Sequence, residues 1–152
     1  MAQRIFIGMA AIAAIASVAL TTAASGRPSS ATITLHARSQ LEHAQFVDNA
    51  PSGRSAGDQL VFTERLVDAR GRRIGRDAAS CTLLFDARSL CTGTYVLRRG
   101  QVMVQLVQPG PRGTYRQAIT GGTGRYARAT GTVTVDQRPG GDRFTFHIRP
   151  AR

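Results

Sequence analysis

The sequence contains no lysine and no tryptophan, and aromatic residues make up only 6% of its 152 positions. Two cysteines and three histidines are too few for a zinc cluster, a haem-attachment motif or an iron–sulfur site. Acidic residues are scarce too. Nine stand against twenty basic residues, every one an arginine, for a formal charge of +11. So few aromatics leave no stacking platform of the kind on which single-stranded nucleic acid is bound. The length excludes a large multidomain enzyme. What is present is a 42% apolar fraction, enough for a packed core and too much for a disordered chain. A small binding module, a small enzyme and a basic nucleic-acid binder remain open.

One long uncharged run exists, the sixteen residues Ile5–Leu20, preceded by the basic Met1-Ala2-Gln3-Arg4 and followed by the small residues Thr21 to Ser25. That is the order of a secretory signal: basic, apolar, then a small-residue cleavage site. The expectation is a signal peptide over 1–24, a flexible lead-in over 25–31 and one folded domain over 32–150. An uncleaved membrane anchor competes, but a spanning helix needs roughly 20 apolar residues. No stable membrane anchor is expected after cleavage. The processed chain would carry +10 outside the cytoplasm, so a secreted location is expected.

The remainder reads as strands. Ile33 and Leu35, then Leu60, Phe62 and Leu66, then Val102, Val104 and Leu106, then Val133 and Val135, then Phe144, Phe146 and Ile148 each alternate with polar or outward residues. Arg70-Gly71, Arg99-Gly100, Pro109 to Gly113 and Pro139-Gly140-Gly141 interrupt the runs with turn chemistry. Eight strands are predicted, near 32–47, 58–68, 73–86, 90–98, 101–108, 114–120, 125–137 and 142–149. Short links make neighbours antiparallel. The expected fold is all-β, an eight-stranded antiparallel barrel with space for side chains or one small ligand. An eight-stranded sandwich is the runner-up. Cys81 and Cys91 fall on consecutive strands about a turn centred near Asp86, so they face each other, and a disulfide is expected.

Gly57-Asp58, Val61-Phe62-Thr63, Leu66-Val67-Asp68, Arg73-Ile74-Gly75, Cys81, Thr94-Tyr95, Val104-Gln105 and Ala118-Ile119-Thr120-Gly121-Gly122-Thr123-Gly124 occur in one order. That order resembles the allene oxide cyclase family and, more broadly, the dirigent-like barrels, along about 60% of the chain; secreted bacterial members are the nearest likeness. The resemblance implies an antiparallel barrel with a mostly apolar cavity. It also implies binding of oxygenated hydrophobic molecules, steering of a cyclisation or coupling, a trimer, and no metal or nucleotide cofactor. In such barrels the wall fixes the conformer while a carboxylate offsets developing positive charge. Val61 stands where the plant cyclases have proline. Thr130 stands where dirigent proteins have arginine.

Candidate chemistry follows from both readings. Glu64 shares a strand face with Leu60, Phe62 and Leu66. Inside a cavity it would be a carboxyl among apolar groups, with a raised pKa and acid or base use. The resemblance places the cyclases' carboxylate near His43, beside Glu42, and makes His43 the second catalytic candidate. Tyr95, Tyr115 and Tyr126 could offer hydroxyls to a ligand. The glycine block 121–124 reads as a turn or bulge, because a phosphate loop needs a helix after it. The arginines 70, 72, 73 and 76 read as solvated surface. The expected partner is a small hydrophobic molecule, with no nucleic acid and no metal. The expected function is a ligand-binding barrel with isomerase or cyclase activity. The alternative is a non-catalytic binding or surface-interaction barrel.

Overall fold

The computed structural model describes residues 31–49, 51–86, 88–110 and 113–151. The expected signal peptide and residues 25–30 of the lead-in lie outside them. The described chain forms eight strands: β1 (Ile33–Val47), β2 (Gln59–Val67), β3 (Arg73–Leu83), β4 (Ser89–Leu97), β5 (Gly100–Gln108), β6 (Thr114–Gly122), β7 (Thr130–Asp136) and β8 (Arg143–Arg149). Each pairs antiparallel with the next, and β8 returns to β1 to close a barrel. Closure pairs every strand on both sides and leaves no edge for association. This is the expected barrel and not the sandwich.

Two boundaries differ from the sequence reading by three residues or more, for identifiable reasons. β3 stops at Leu83 rather than 86, because Leu84 donates its N–H to the Arg88 carbonyl and turns the chain. β7 begins at Thr130 rather than 125. Gly124–Tyr126 winds into one 3-10 turn, and Arg128 takes a positive φ of 53°.

Side chains alternate in and out, so register decides which residues share the interior. Two irregularities matter. β1 slips against β2 between Leu41 and His43, and β5 slips against β6 between Met103 and Val104. Before the first slip the inward residues of β1 are Ala37, Ser39 and Leu41. After it they are Ala44 and Phe46.

The interior is filled at one end and hollow at the other. Leu66, Val102, Val133, Phe146 and Ile148 are fully buried at the filled end, with Tyr126 and Ala129 packed on them. At the hollow end inward-facing residues stay open to water: Leu41 is 64% exposed and Phe46 49%. Cys81 and Cys91 sit directly opposite each other on β3 and β4 and are joined as a disulfide.

Candidate functional site

The hollow end holds a cavity of about 440 Å³. Ordinary ligand pockets span roughly 300–1,000 Å³. Its upper wall is apolar, built from Phe46, Leu60, Phe62, Leu83 and Leu106 with the disulfide between them. Its floor is polar, and one row of cross-strand partners builds it. Leu41 pairs with Glu64, Glu64 with Asp77, and Asp77 with Tyr95. Directly opposite residues in an antiparallel pair stand side by side on one face. Two carboxyls and a phenol therefore meet inside the barrel.

Both carboxyls are pushed up to about 7. For Glu64 the main cause is burial, which disfavours the anion; a hydrogen bond from Ser39 opposes it, and the nearby Asp142 adds to it. For Asp77 the main cause is again burial, followed by the charge of Glu64. Two such groups in contact titrate as a pair around neutral pH. Ser39 also ties the floor to the β7–β8 turn. Its hydroxyl accepts the Asp142 N–H at 3.0 Å, and its own N–H donates to the Asp142 carbonyl at 2.8 Å. Asp142 is itself raised, chiefly by burial.

The phenol of Tyr95 donates to Gln117 Oε1 at 2.7 Å, and burial pushes it well above its ordinary value. Tyr115 also lines the cavity and is pushed up, again mainly by burial. Tyr95 packs edge-on against Phe144, with ring centres 5.7 Å apart. Two buried acceptors of the cavity lining, Asp77 Oδ1 and Gln137 Oε1, have no hydrogen-bond partner. Buried polar atoms are nearly always paired, so each such atom calls for an explanation.

The mouth is held by hydrogen bonds of Asp58, just before β2. Asp58 accepts the N–H groups of Asn49 at 2.9 Å and Ser55 at 2.6 Å, which keeps its carboxyl below the usual range. The Gly57 N–H and the Asp58 carbonyl both bond to Leu83, at 2.9 and 2.8 Å. Arg54, beside Ser55, reaches the cavity rim.

Glu64, Tyr95 and Tyr115 thus come together in the cavity. Tyr126 does not; it is buried in the filled end. His43 lies on the outer wall, exposed and opposite Thr63, because the β1 slip reverses which residues point inward. Glu42 is also outside, clamped between Arg65 at 3.1 Å and Arg76 at 2.8 Å. The sequence reading missed Asp77, Ser39, Gln117, Gln137 and Asp142. A signal for Asp77 existed. The hairpin that sets Cys81 opposite Cys91 also sets Asp77 opposite Tyr95, and Asp77 shares the face of Cys81.

No family model and no curated protein matches the chain. Among solved structures it is similar to a pyocyanin demethylase, with a TM-score of 0.70 and 23% identity over 76% of this chain and 99% of that one. It is similar to the Diels–Alderase AbmU from Streptomyces koyangensis, with a TM-score of 0.65 and 18% identity over 78% of this chain and 64% of that one. It is also similar to the pterocarpan synthase dirigent protein GePTS1, with a TM-score of 0.65 and 12% identity over 81% and 93% of the two chains. Closed topology, register and these likenesses agree: the chain has the dirigent-like, allene oxide cyclase-like barrel fold.

Proposed function

We propose that this protein binds a small, largely hydrophobic molecule in the barrel and acts on it by acid–base chemistry, as an isomerase or cyclase. The observation that carries this reading is the pairing of Glu64 and Asp77 on the floor of an apolar cavity open at its other end. A carboxyl held near 7 is matched to proton transfer at neutral pH, where it is present in both protonation states. The rigid wall holds the ligand in one conformer. Tyr95 and Gln117 fix the floor. Solved structures sharing the fold include a demethylase, a Diels–Alderase and a pterocarpan synthase, which supports small-molecule chemistry in a barrel of this kind.

The disulfide fits an oxidising compartment. Among the described residues no helix is long and apolar enough to cross a membrane. The disulfide supports the secreted location that the N-terminal sequence predicts.

Native mass spectrometry of protein purified from its own host tests the binding reading. A bound small molecule, released on unfolding, is the expected result, and persistently empty protein counts against it. Glu64→Gln separates catalysis from binding. It should still take up the co-purified molecule, at reduced affinity, and lose its conversion. Conversion unchanged in that variant would leave a non-catalytic binding barrel, or a different acid, in place of this proposal.

A further inference from the structure

The cavity floor is chemically one-sided. Glu64, Asp77 and Asp142 supply three carboxyls, and Gln137 adds a carbonyl oxygen. The only basic lining group among the described residues is Arg54, at the rim. Asp77 is 4% exposed, lines the cavity, and leaves Oδ1 without a partner; Gln137 Oε1 is a second unpaired acceptor. Once Asp77 ionises, both acceptors lack a donor, and the Tyr95 hydroxyl is already committed to Gln117. An unpaired buried acceptor is costly, and a donor on the ligand would recover that cost. Aromatic rings line the same cavity: Tyr95, directly opposite Asp77, with Tyr115 and Phe144. Carboxylates with aromatic faces are the surroundings that an organic cation prefers.

The geometry points to a ligand that carries a protonated, N–H-bearing nitrogen on an apolar body, with the nitrogen seated on Asp77, Glu64 and Gln137 and the body against the apolar wall. This rests on the cavity being a ligand site, as proposed above, and names the class of molecule it takes. A neutral hydrocarbon would leave both acceptors unpaired. An anionic ligand would meet three carboxyls.

Proton linkage follows. A cation on the floor replaces the protons that Glu64 and Asp77 hold near pH 7. The other groups facing them are Asp142 from the β7–β8 turn, Tyr95 from β4 and Tyr115 from β6, and Arg54 and Asp58 stand at the mouth. The two phenols stay neutral throughout, since burial pushes both up. Affinity for a cation should therefore rise with pH as the floor ionises.

The test compares 1-naphthylmethylamine, which stays protonated from pH 6 to 8, with its neutral counterpart 1-naphthylmethanol, by titration calorimetry on the purified protein. The amine should bind more tightly than the alcohol at pH 8. Its Kd should fall about tenfold between pH 6 and 8 for each carboxylate engaged, because a group titrating at 7 goes from about one-tenth to nine-tenths ionised. The alcohol should show no such gain. Asp77→Asn should weaken the amine about tenfold at pH 8 and spare the alcohol. Amine affinity flat with pH, or an alcohol that binds as well as the amine at pH 8, overturns the inference while leaving the cavity a ligand site. If neither probe binds, both readings fall. The wild-type comparison alone decides the matter should the variant not fold.

Discussion

Glu64 and Asp77 are stored at a cost to folding that depends on pH. Each has a folded pKa near 7, above its ordinary carboxyl value, so the folded state holds protons that the unfolded chain has released. Their stabilising contribution is complete below the unfolded values and is lost as pH rises through 7. The lowered carboxyls, among them Glu42, Asp58 and Asp68, are ionised in both states above pH 5, so they do not disturb this window. Urea unfolding should show greater stability at pH 5 than at pH 8, by roughly 2 kcal/mol per buried carboxyl. Glu64→Gln should flatten that dependence and stabilise the protein at pH 8 by a similar amount, the usual trade between stability and a poised site. A variant that leaves the pH profile unchanged would show that Glu64 is not the group responsible. The inward face of Glu64 was legible from its apolar neighbours two residues away on either side. His43 was not, because one slipped residue in β1 cannot be read from alternation yet inverts every position after it.

Among the elements, the turn Gly140–Asp142 does more than join two strands. Gly141 has φ 127°, and a Cβ there would collide with the Ser39 carbonyl oxygen. Only glycine lets this turn lie against β1, where the Asp142 N–H reaches Ser39 Oγ and Ser39 bonds Glu64. Gly141→Ala should cost about 2 kcal/mol or more through backbone strain. It should also move the apparent pKa of the floor, read from the same pH-stability profile. A variant with wild-type stability would mean the turn adapts freely. The β3–β4 hairpin makes a second prediction. Replacing both cysteines by serine should cost about 3 kcal/mol, by thermal or urea unfolding under oxidising conditions. Loss below 1 kcal/mol would mean that strand pairing alone holds the cavity mouth. The hairpin was the most legible element of the sequence, since the positions of the two cysteines set its register. The polar turn was not, because proline and glycine announced a bend without saying where it would lean.

At the scale of the whole molecule, charge is distributed unevenly. On the outer wall Val61 pairs with Ser80, Ser80 with Thr92 and Thr92 with Gln105; Thr63, Ala78, Thr94 and Met103 form the next row. Neither row carries a charge, in a chain with twenty arginines. Val61 and Met103 are more than 40% exposed. The trimer that the sequence resemblance implies would be built most readily through this face, since no arginine need be desolvated there. Sedimentation should find an oligomer at micromolar concentration, and Val61→Arg with Met103→Arg should reduce it to monomer. A monomeric wild-type protein would rule the interface out. The closed barrel was legible from eight alternating runs and short turns. The boundary between its packed and hollow halves was not, because it depends on the summed volumes of side chains from all eight strands.

That boundary has a consequence for how the protein can change. Residues such as Leu66, Phe146 and Ile148 hold the barrel together at one end, whereas Leu41, Phe46 and Leu60 face inward at the other without being fully removed from water. Substitutions at the second set forfeit little burial, so the wall above the carboxyl pair can be re-lined with larger, smaller or more polar side chains while the barrel still folds. The architecture thereby separates tolerance from constraint along a single axis: ligand preference can drift at the mouth without the fold having to drift with it.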